Sequence, residues 1–356
     1  MSSAGARAPD TQQPSQNKQS LHYIVRSGIA GGTAGCVAKT VVAPLDRVKI
    51  LFQASNPEFQ KYAGTWSGAF RAASQIYADN GVRGLLQGHS ATLLRIFPYA
   101  AIKFIAYDQV EHILMPTRES QTNGRRFAAG AISGMISVFF TYPLELIRVR
   151  MAFSTRAQST QVPHTFHPSH SPPPHRPSFL AAMSQIYHEG ASVPPPSASS
   201  ASPLAPVSAN SIFARLPAVK FYRGFTVTLV GIIPYAGTSF LTWGFLRSSL
   251  VPPPDASRPA SDRRPSPLAD LTFGAVAGAV SQTVSYPFEV VRRRMQVGGL
   301  THPERWMRWG ETVRSIWATR GWKGFYVGLS IGYLKIVPMT AVSFTVWQWG
   351  KRVLGV

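Results

Sequence analysis

The chain has 356 residues, of which 45% are hydrophobic and only 14% are charged, whereas soluble domains are usually about 25% charged. Its 36 Lys and Arg outnumber its 15 Asp and Glu, which gives a formal net charge of +21. A single cysteine, Cys36, excludes an internal disulfide, a thiolate zinc cluster and a Cys-x-x-Cys redox pair. Few charges, 29 glycines and 11% aromatic residues argue against a disordered nucleic-acid-binding tail and favour a membrane protein with an anionic partner.

Six apolar stretches are candidates for spanning helices, which need about 20 mostly apolar residues. In chain order they cover residues 27–45, 90–107, 127–144, 224–246, 271–288 and 327–350. Three of the six contain no charged residue, and the others carry interior Lys or Arg that should face a watery cavity. The alternative at this point is a soluble bundle of six buried core helices.

Internal repeats favour the membrane interpretation. The motif P-x-[DE]-x-x-[KR] begins at Pro44, Pro143 and Pro287, and each copy has glycines thirteen and nine residues earlier. These glycines form three G-x-x-x-G pairs, a spacing that lets membrane helices approach closely. A second set of prolines stands ten residues after Gly88, Gly224 and Gly328. Because the landmarks recur in register, the sequence predicts three copies of one helical unit.

Each unit is predicted to contain a long helix, a short amphipathic surface helix and a second long helix. The first long helices are expected at 23–53, 125–153 and 268–297, the surface helices at 67–78, 178–188 and 309–319, and the second long helices at 88–114, 224–251 and 328–353. The repeats then cover residues 23–114, 123–250 and 268–354, with a disordered tail at 1–22 and a linker at 251–267. Ser/Pro-rich stretches at 154–177 and 191–217 are interpreted as disordered insertions in the second repeat, and their histidines as loop residues, not metal ligands.

The triplicated motif resembles that of the mitochondrial carrier family. The resemblance covers nearly the whole chain, from residue 23 to residue 353. The resemblance implies an all-α membrane protein with six tilted transmembrane helices in three pseudo-symmetric repeats, each with a short matrix-side amphipathic helix. It also implies a monomeric transporter in the mitochondrial inner membrane, with both termini in the intermembrane space and alternating access. Within the family, runs at 43–54, 88–107 and 286–296 look most like the fungal coenzyme A carriers.

The three proline motifs predict a gate on the matrix side. A proline bends its helix, and the acid two residues later and the base five residues later lie about one turn apart. Around a threefold axis, each acid can pair with the base of the next repeat: Asp46 with Arg148, Glu145 with Arg292, and Glu289 with Lys49. The resemblance adds Gln53 and Gln296 as braces of these pairs, and it predicts a thinner cytosolic gate formed by Asp108 and Arg247.

The substrate is expected to bind midway along the second long helices, three residues before their prolines, as the resemblance implies. Those positions hold Arg95, Gly231 (followed by Ile232) and Lys335, and buried cations there favour an anionic substrate. The pair Gly231-Ile232 resembles the adenine-binding step of nucleotide carriers. The remaining predicted substrate ligands are Tyr235 as a stacking ring, Ser285 near the base, Lys39 at a phosphate and Lys103 as a further cation.

These features predict a transporter of coenzyme A or a close adenine-nucleotide precursor, with no cofactor, no metal and no nucleic-acid partner. An ATP/ADP-type carrier is the alternative, since an adenine pocket with several cations fits either ligand, and the choice of coenzyme A rests on resemblance. No catalytic motif is apparent. Two further rivals are a basic nucleic-acid-binding protein, which the three uncharged spans oppose, and a non-transporting membrane organiser that does not depend on Arg95 or Lys335. Contact with a bilayer containing anionic lipids is expected from the positive charge.

Overall fold

The computed structural model describes residues 21–116, 122–155, 178–189, 217–250, 267–301 and 307–355. All regular structure in these ranges is helical. The α-helices are α1 (Leu21–Gln53), α2 (Trp66–Leu85), α3 (His89–Leu114), α4 (Asn123–Phe153), α5 (Phe179–His188), α6 (Phe225–Leu250), α7 (Pro267–Thr301), α8 (Trp309–Arg320), α9 (Leu329–Leu334) and α10 (Ile336–Leu354). Short 3₁₀ helices cover Gln60–Tyr62, Pro217–Tyr222 and Gly321–Tyr326.

The helices follow the predicted threefold order with small shifts in their bounds. Helix α7 continues to Thr301, and α2 continues to Leu85 but is kinked at Gly81, whose φ of 65° and ψ of −163° are not helical. The last long helix is divided at Lys335 into α9 and α10. The proline three residues on cannot donate a backbone hydrogen bond, which weakens the helix at this point. The predicted tail, linker and insertions lie outside the described residues, except that residues 21–22, Ser154, Thr155, Pro217 and Pro267 are described, Leu21 and Pro267 at helix starts.

The long helices form a closed ring. Their most extensive contacts join successive repeats: α3 packs on α4, α6 on α7, and α10 on α1. The last of these contacts brings the end of the chain back to its beginning, where Arg26 Nη1 donates to the carbonyl oxygen of Leu354 at 3.2 Å. The helices of one chain therefore enclose a central space.

The two ends of the ring differ in packing. At the end that carries the proline motifs, here called the closed end, buried apolar clusters gather around Leu51, Leu146 and Val290. At the opposite end, the open end, neighbouring helices still touch, as at Arg26 and Leu354, but open space borders the glycines of the G-x-x-x-G pairs. A carbon added as Cβ to any of the six glycines of the G-x-x-x-G pairs would meet no other heavy atom within 4 Å. The close helix approach expected from that spacing is therefore absent in this conformation, and these glycines border open space.

Three other glycines do allow close packing. Gly88, Gly224 and Gly328 precede α3, α6 and α9 with φ between 79° and 86°, a left-handed conformation that favours glycine. A Cβ at Gly88 would lie 2.9 Å from the carbonyl oxygen of Arg148, and one at Gly224 would lie 3.3 Å from the carbonyl oxygen of Arg292. The start of each second long helix can thus touch the first long helix of the next repeat at the closed end.

The outer surface is apolar, as a membrane requires. Phe104, Leu241 and Val337 are 76%, 77% and 74% exposed. Among the described residues, four segments are long and apolar enough to cross a bilayer: Val25–Gln53, Gly124–Phe153, Pro217–Leu250 and Trp309–Leu354. The protein is therefore an all-helical membrane protein, with α3 and α7 completing the ring beside these segments.

Candidate functional site

A ring of ion pairs closes one end of the central space. Each pair joins the acid of one proline motif to the base of the motif in another repeat, in the arrangement that the motif spacing predicts. Asp46 contacts Arg148 at 3.0 Å, Glu145 contacts Arg292, and Glu289 contacts Lys49 at 2.9 Å. The prolines Pro44, Pro143 and Pro287 lie inside α1, α4 and α7 just before these pairs. The ring ties all three repeats together at the closed end.

Cations from the predicted substrate positions also reach this ring, which motif spacing did not reveal. Arg95 contacts the Glu145 carboxylate at 3.0 Å, and Lys335 contacts Asp46 at 2.8 Å. Arg293 adds a third cation at Glu145, at 3.0 Å. At the position equivalent to Arg95 and Lys335, the second repeat has Gly231, so Glu289 receives no matching cation. The predicted substrate ligands and the predicted gate are thus directly joined by ion pairs in two repeats.

Both glutamines that were predicted as braces contact tyrosines, and Gln296 Oε1 also accepts a hydrogen bond from Arg293 at 2.9 Å. Gln53 Nε2 donates to the Tyr286 hydroxyl at 3.0 Å, and Gln296 Nε2 donates to the Tyr142 hydroxyl at 3.1 Å. Both hydroxyls in turn donate to backbone carbonyls at the start of the next helix: Tyr142 to Arg223 at 2.7 Å, and Tyr286 to Val327 at 3.0 Å. The tyrosines precede Pro143 and Pro287, where the first repeat has Ala43, so the second and third repeats carry a hydrogen-bond chain that the first lacks.

A cavity of about 640 Å³, the main cavity, lies above the closed end between α6, α7 and α10. The predicted ligands that line it are Gly231, Ile232, Tyr235, Ser285 and Lys335. Three charged members of the ion-pair ring border it as well: Lys49, Glu289 and Arg292. The cavity therefore combines a largely apolar wall with a charged base, a combination suited to a ligand with a flat ring and anionic groups.

Two features of the main cavity were not anticipated. Phe288 occupies the space beside Gly231, since a Cβ on that glycine would lie 3.0 Å from the Phe288 Cβ. The glycine thus allows α6 to pack against α7, and the ring of Phe288 forms part of the wall where the backbone was expected. Gln282 also lines the cavity and brings a side-chain amide to this wall. Phe288 stands at the variable second position of the third proline motif and Gln282 lies outside the motif, so the repeat pattern gave no signal for either side chain.

The other predicted residues occupy different surroundings. Lys39 Nζ lies 3.4 Å from the sulfur of Met339, between α1 and α10. Lys103 is exposed and does not line the main cavity. Asp108 and Arg247 are also exposed, and within the part of the chain that the structure describes they do not form an ion pair with each other. Arg247 lies over the ring of Trp243 at 5.0 Å.

A second buried charge cluster holds the surface helix of the middle repeat. Glu189, directly after α5, contacts Arg150 at 2.8 Å and Arg223 at 2.9 Å. Lys220 Nζ donates to the backbone oxygen of Glu189 at 2.6 Å. The cluster fastens α5 to the end of α4 and to the start of α6. Its side chains do not line the main cavity, although Arg150 Nε donates to the backbone oxygen of Gln296 at 3.2 Å, and we assign the cluster a structural role.

Comparison with known proteins identifies the family to which this fold and site belong. The family described as "Mitochondrial carrier protein" matches residues 20–118, 119–191 and 263–356. The chain belongs to the mitochondrial carrier family. Its members are transporters and not enzymes.

Three relatives in this family are similar to this chain over most of their length. "Mitochondrial carrier protein LEU5" of Saccharomyces cerevisiae is 40% identical, over 97% of this chain and 95% of its own length. "Solute carrier family 25 member 16" of Homo sapiens is 36% identical, over 93% of this chain and 88% of its own. "Mitochondrial coenzyme A transporter SLC25A42" of Homo sapiens is 34% identical, over 93% and 89%. The match to each spans nearly the entire protein.

Proposed function

We propose that this carrier transports coenzyme A, or a close adenine-nucleotide precursor, across the mitochondrial inner membrane by alternating access. The observation that carries the proposal is the main cavity, where an apolar and aromatic wall stands directly above buried cations. Adenine fits such a wall through stacking and apolar contact, and phosphates require the cations. A relative of 34% identity is named a coenzyme A transporter, which favours coenzyme A over other adenine nucleotides.

The conformation fits one half of a transport cycle. The ring of ion pairs is formed, while the predicted pair Asp108 and Arg247 is apart. We assign the closed end to the matrix and the open end to the intermembrane space, where both termini then lie. The helices of a single chain enclose the main cavity, so we expect the carrier to work as a monomer.

Ion pairs between the substrate cations and the gate acids provide a means to couple binding to opening. In this conformation, Arg95 is held by Glu145 and Lys335 by Asp46. A phosphate in the central space competes for these cations, of which Lys335 lines the main cavity, because it offers them a second anionic partner. The acids then lose part of their stabilisation in the closed ring. A ligand shifts the equilibrium from the closed to the opened ring only if it binds the opened state more tightly. An anionic substrate meets this condition when it takes over the cations that hold the acids in the closed ring, so we expect transport to depend on an anionic substrate.

The alternative, an ATP/ADP-type carrier, draws on the same cavity, since adenine and a diphosphate are common to both ligands. The run Arg292–Arg294 is compatible with it, but Met295 is followed by Gln296 where ADP/ATP carriers are expected to have further methionines. We therefore treat adenine nucleotides as competitors in the test and not as the main substrate.

Uptake of labelled coenzyme A into liposomes that contain the purified protein tests the proposal. We expect saturable uptake that coenzyme A inhibits at lower concentrations than ADP or ATP do. Arg95→Ala and Lys335→Ala should each reduce uptake by at least about tenfold, because each removes a charge-assisted contact worth more than 1.4 kcal/mol. Arg83→Ala removes an exposed cation of α2 at the same end and should leave uptake unchanged.

Three outcomes separate the hypotheses. Preferential uptake of ADP or ATP would overturn the choice of coenzyme A and retain the cationic site. Uptake of coenzyme A that is unaffected by Arg95→Ala and Lys335→Ala would overturn the proposed site. No uptake of any nucleotide by protein that remains folded would favour a non-transporting role.

A further inference from the structure

A second cavity continues from the main cavity towards the open end, between α1 and α10. This side cavity has a volume of about 450 Å³. It shares Met339 and Thr340 with the main cavity, so the two spaces meet there. From Lys39 at this junction to Gly31 at the far end it follows α1 for eight residues, a rise of about 12 Å.

The lining of the side cavity differs from that of the main cavity. Lys39, at the junction, is the one ionised residue among those that line it. The remaining walls are formed by small residues of α1, such as Gly35, and by hydroxyl and aromatic residues of α10, such as Ser343 and Phe344. A Cβ at Gly31 or Gly35 would meet no heavy atom within 4 Å, so the missing side chains leave real room. Such a space suits a slender, uncharged chain, since its one cation lies at the junction with the main cavity.

Coenzyme A has a part with this chemistry. Its nucleotide half carries adenine and a ribose phosphate, its diphosphate is anionic, and its pantetheine arm is a neutral flexible chain with two amides and a terminal thiol. With adenine against Tyr235 and the diphosphate near Lys335 and Lys39, the arm leaves the diphosphate at the junction of the two cavities. The Thr340 hydroxyl donates to the Ile336 carbonyl at 2.7 Å, which leaves its oxygen free to accept a hydrogen bond from an amide.

We infer that the side cavity between α1 and α10 is the binding subsite for the pantetheine arm. The inference rests on the proposed function and adds the feature that distinguishes coenzyme A from ADP and ATP, which have no such arm. Discrimination then comes from a neutral channel beside the common nucleotide site. Lys39 marks the boundary, with phosphate on one side and the arm on the other.

Filling the side cavity tests this assignment. Gly35→Leu places an alkyl side chain in the open space, and leucine is the better helix former. Ser343→Leu fills the same space from α10, so that the test does not depend on the folding of one variant. Gly134→Leu is the matched control, because Gly134 is the equivalent glycine of the second repeat, lines neither cavity and also has no heavy atom within 4 Å of an added Cβ.

Equilibrium binding to detergent-purified protein is the appropriate measurement, since it does not require the transport cycle to run. The two probes are coenzyme A and 3′-phosphoadenosine 5′-diphosphate, which is its nucleotide half. We expect Gly35→Leu and Ser343→Leu to weaken coenzyme A binding by about tenfold, equivalent to 1.4 kcal/mol, and to leave binding of the nucleotide half unchanged. Gly134→Leu should alter neither affinity.

The failures are distinguishable. If wild-type protein binds coenzyme A but both filled variants bind it equally well, the side cavity is not its subsite, and a lipid chain becomes the favoured occupant. If both probes weaken equally in the filled variants, the side cavity serves the nucleotide and the inference is wrong. If wild-type protein binds the nucleotide half or ADP but not coenzyme A, the proposed function itself fails.

Discussion

At the scale of single residues, the carboxylates of the ion-pair ring differ in the number of cations that hold them. Glu145 contacts Arg95, Arg292 and Arg293, whereas Glu289 contacts only Lys49 among the described residues. Loss of one partner from a buried ion pair costs about 3–5 kcal/mol, because the other charge is left unpaired. The same substitution at Glu145 and at Glu289 should therefore reduce the stability of the protein by different amounts.

We predict that Glu145→Gln lowers thermal stability more than Glu289→Gln. The first variant leaves three arginines close together without a counter-charge, and the second leaves one lysine. We expect the first to lie at the upper end of about 3–5 kcal/mol and the second at or below the lower end. Unfolding midpoints of the two purified variants in the same detergent provide the measurement. Equal midpoints would contradict the unequal sharing of charge in this ring.

Some of the residue contacts could be predicted from the sequence and others could not. The pairs of Asp46 with Arg148 and Glu289 with Lys49 could be predicted because a motif repeated on equivalent helices places equivalent side chains at one level. The contact of Lys335 with Asp46 could not, since it depends on how far a long side chain extends from another helix. The Gln53 contact to Tyr286 was missed for a similar reason: spacing gives the level of a residue but not which of two neighbours it bonds.

At the scale of helices, the repeated landmarks predicted most of the boundaries. Positive φ at Gly88, Gly224 and Gly328 explains why each second long helix begins where it does. Departures occur where the repeats differ in local sequence: α7 runs on to Thr301, and Gly81 interrupts α2. The open space at the G-x-x-x-G glycines could not be predicted, because the same spacing serves either a close contact or a cavity wall and the conformation decides which.

We predict that Gly224→Ala destabilises the protein, whereas Gly244→Ala does not. Gly224 has a φ of 79°, and an added Cβ would lie 3.2 Å from the Tyr142 hydroxyl. The left-handed conformation alone costs a residue with a Cβ about 1–2 kcal/mol. Gly244 lies within α6, where an added Cβ meets nothing within 4 Å and alanine is favoured by up to about 1 kcal/mol.

Thermal unfolding of both variants, together with binding of coenzyme A, checks this contrast. A decrease in stability for Gly244→Ala as large as that for Gly224→Ala would mean that any change on α6 disturbs the fold. In that case the conformation at the start of the helix would not be the cause.

At the scale of the whole molecule, the threefold ring is not equally strong all the way round. The seam between the third repeat and the first is held at the closed end by Lys49 and Glu289, and no cation equivalent to Arg95 or Lys335 reinforces that acid. The same pair borders the main cavity, whereas Asp46 and Glu145 do not line it. A pair with a single partner that faces the ligand is the part of the ring most easily opened.

We predict that exchanging the charges of Lys49 and Glu289 restores the coenzyme A uptake that each single substitution removes. Lys49→Glu and Glu289→Lys should each lower uptake of coenzyme A by at least about tenfold, since like charges then face one another across the ring. The double variant re-forms an ion pair of opposite polarity and should recover to within about threefold of wild type, a coupling within the usual 0.5–3 kcal/mol. Initial uptake rates in liposomes that contain equal amounts of folded protein provide the measurement.

The equivalent exchange at Asp46 and Arg148 supplies the comparison. In the wild-type protein, Lys335 contacts Asp46 at 2.8 Å. The double variant of Asp46→Arg with Arg148→Asp therefore places a new arginine beside Lys335. This repulsion has no compensating partner, so the double variant should recover less activity. Equal recovery at both seams would show that Lys335 does not act on the gate acid. A double variant of Lys49 and Glu289 as inactive as the single variants would show that their pair does not open and close as a unit during transport.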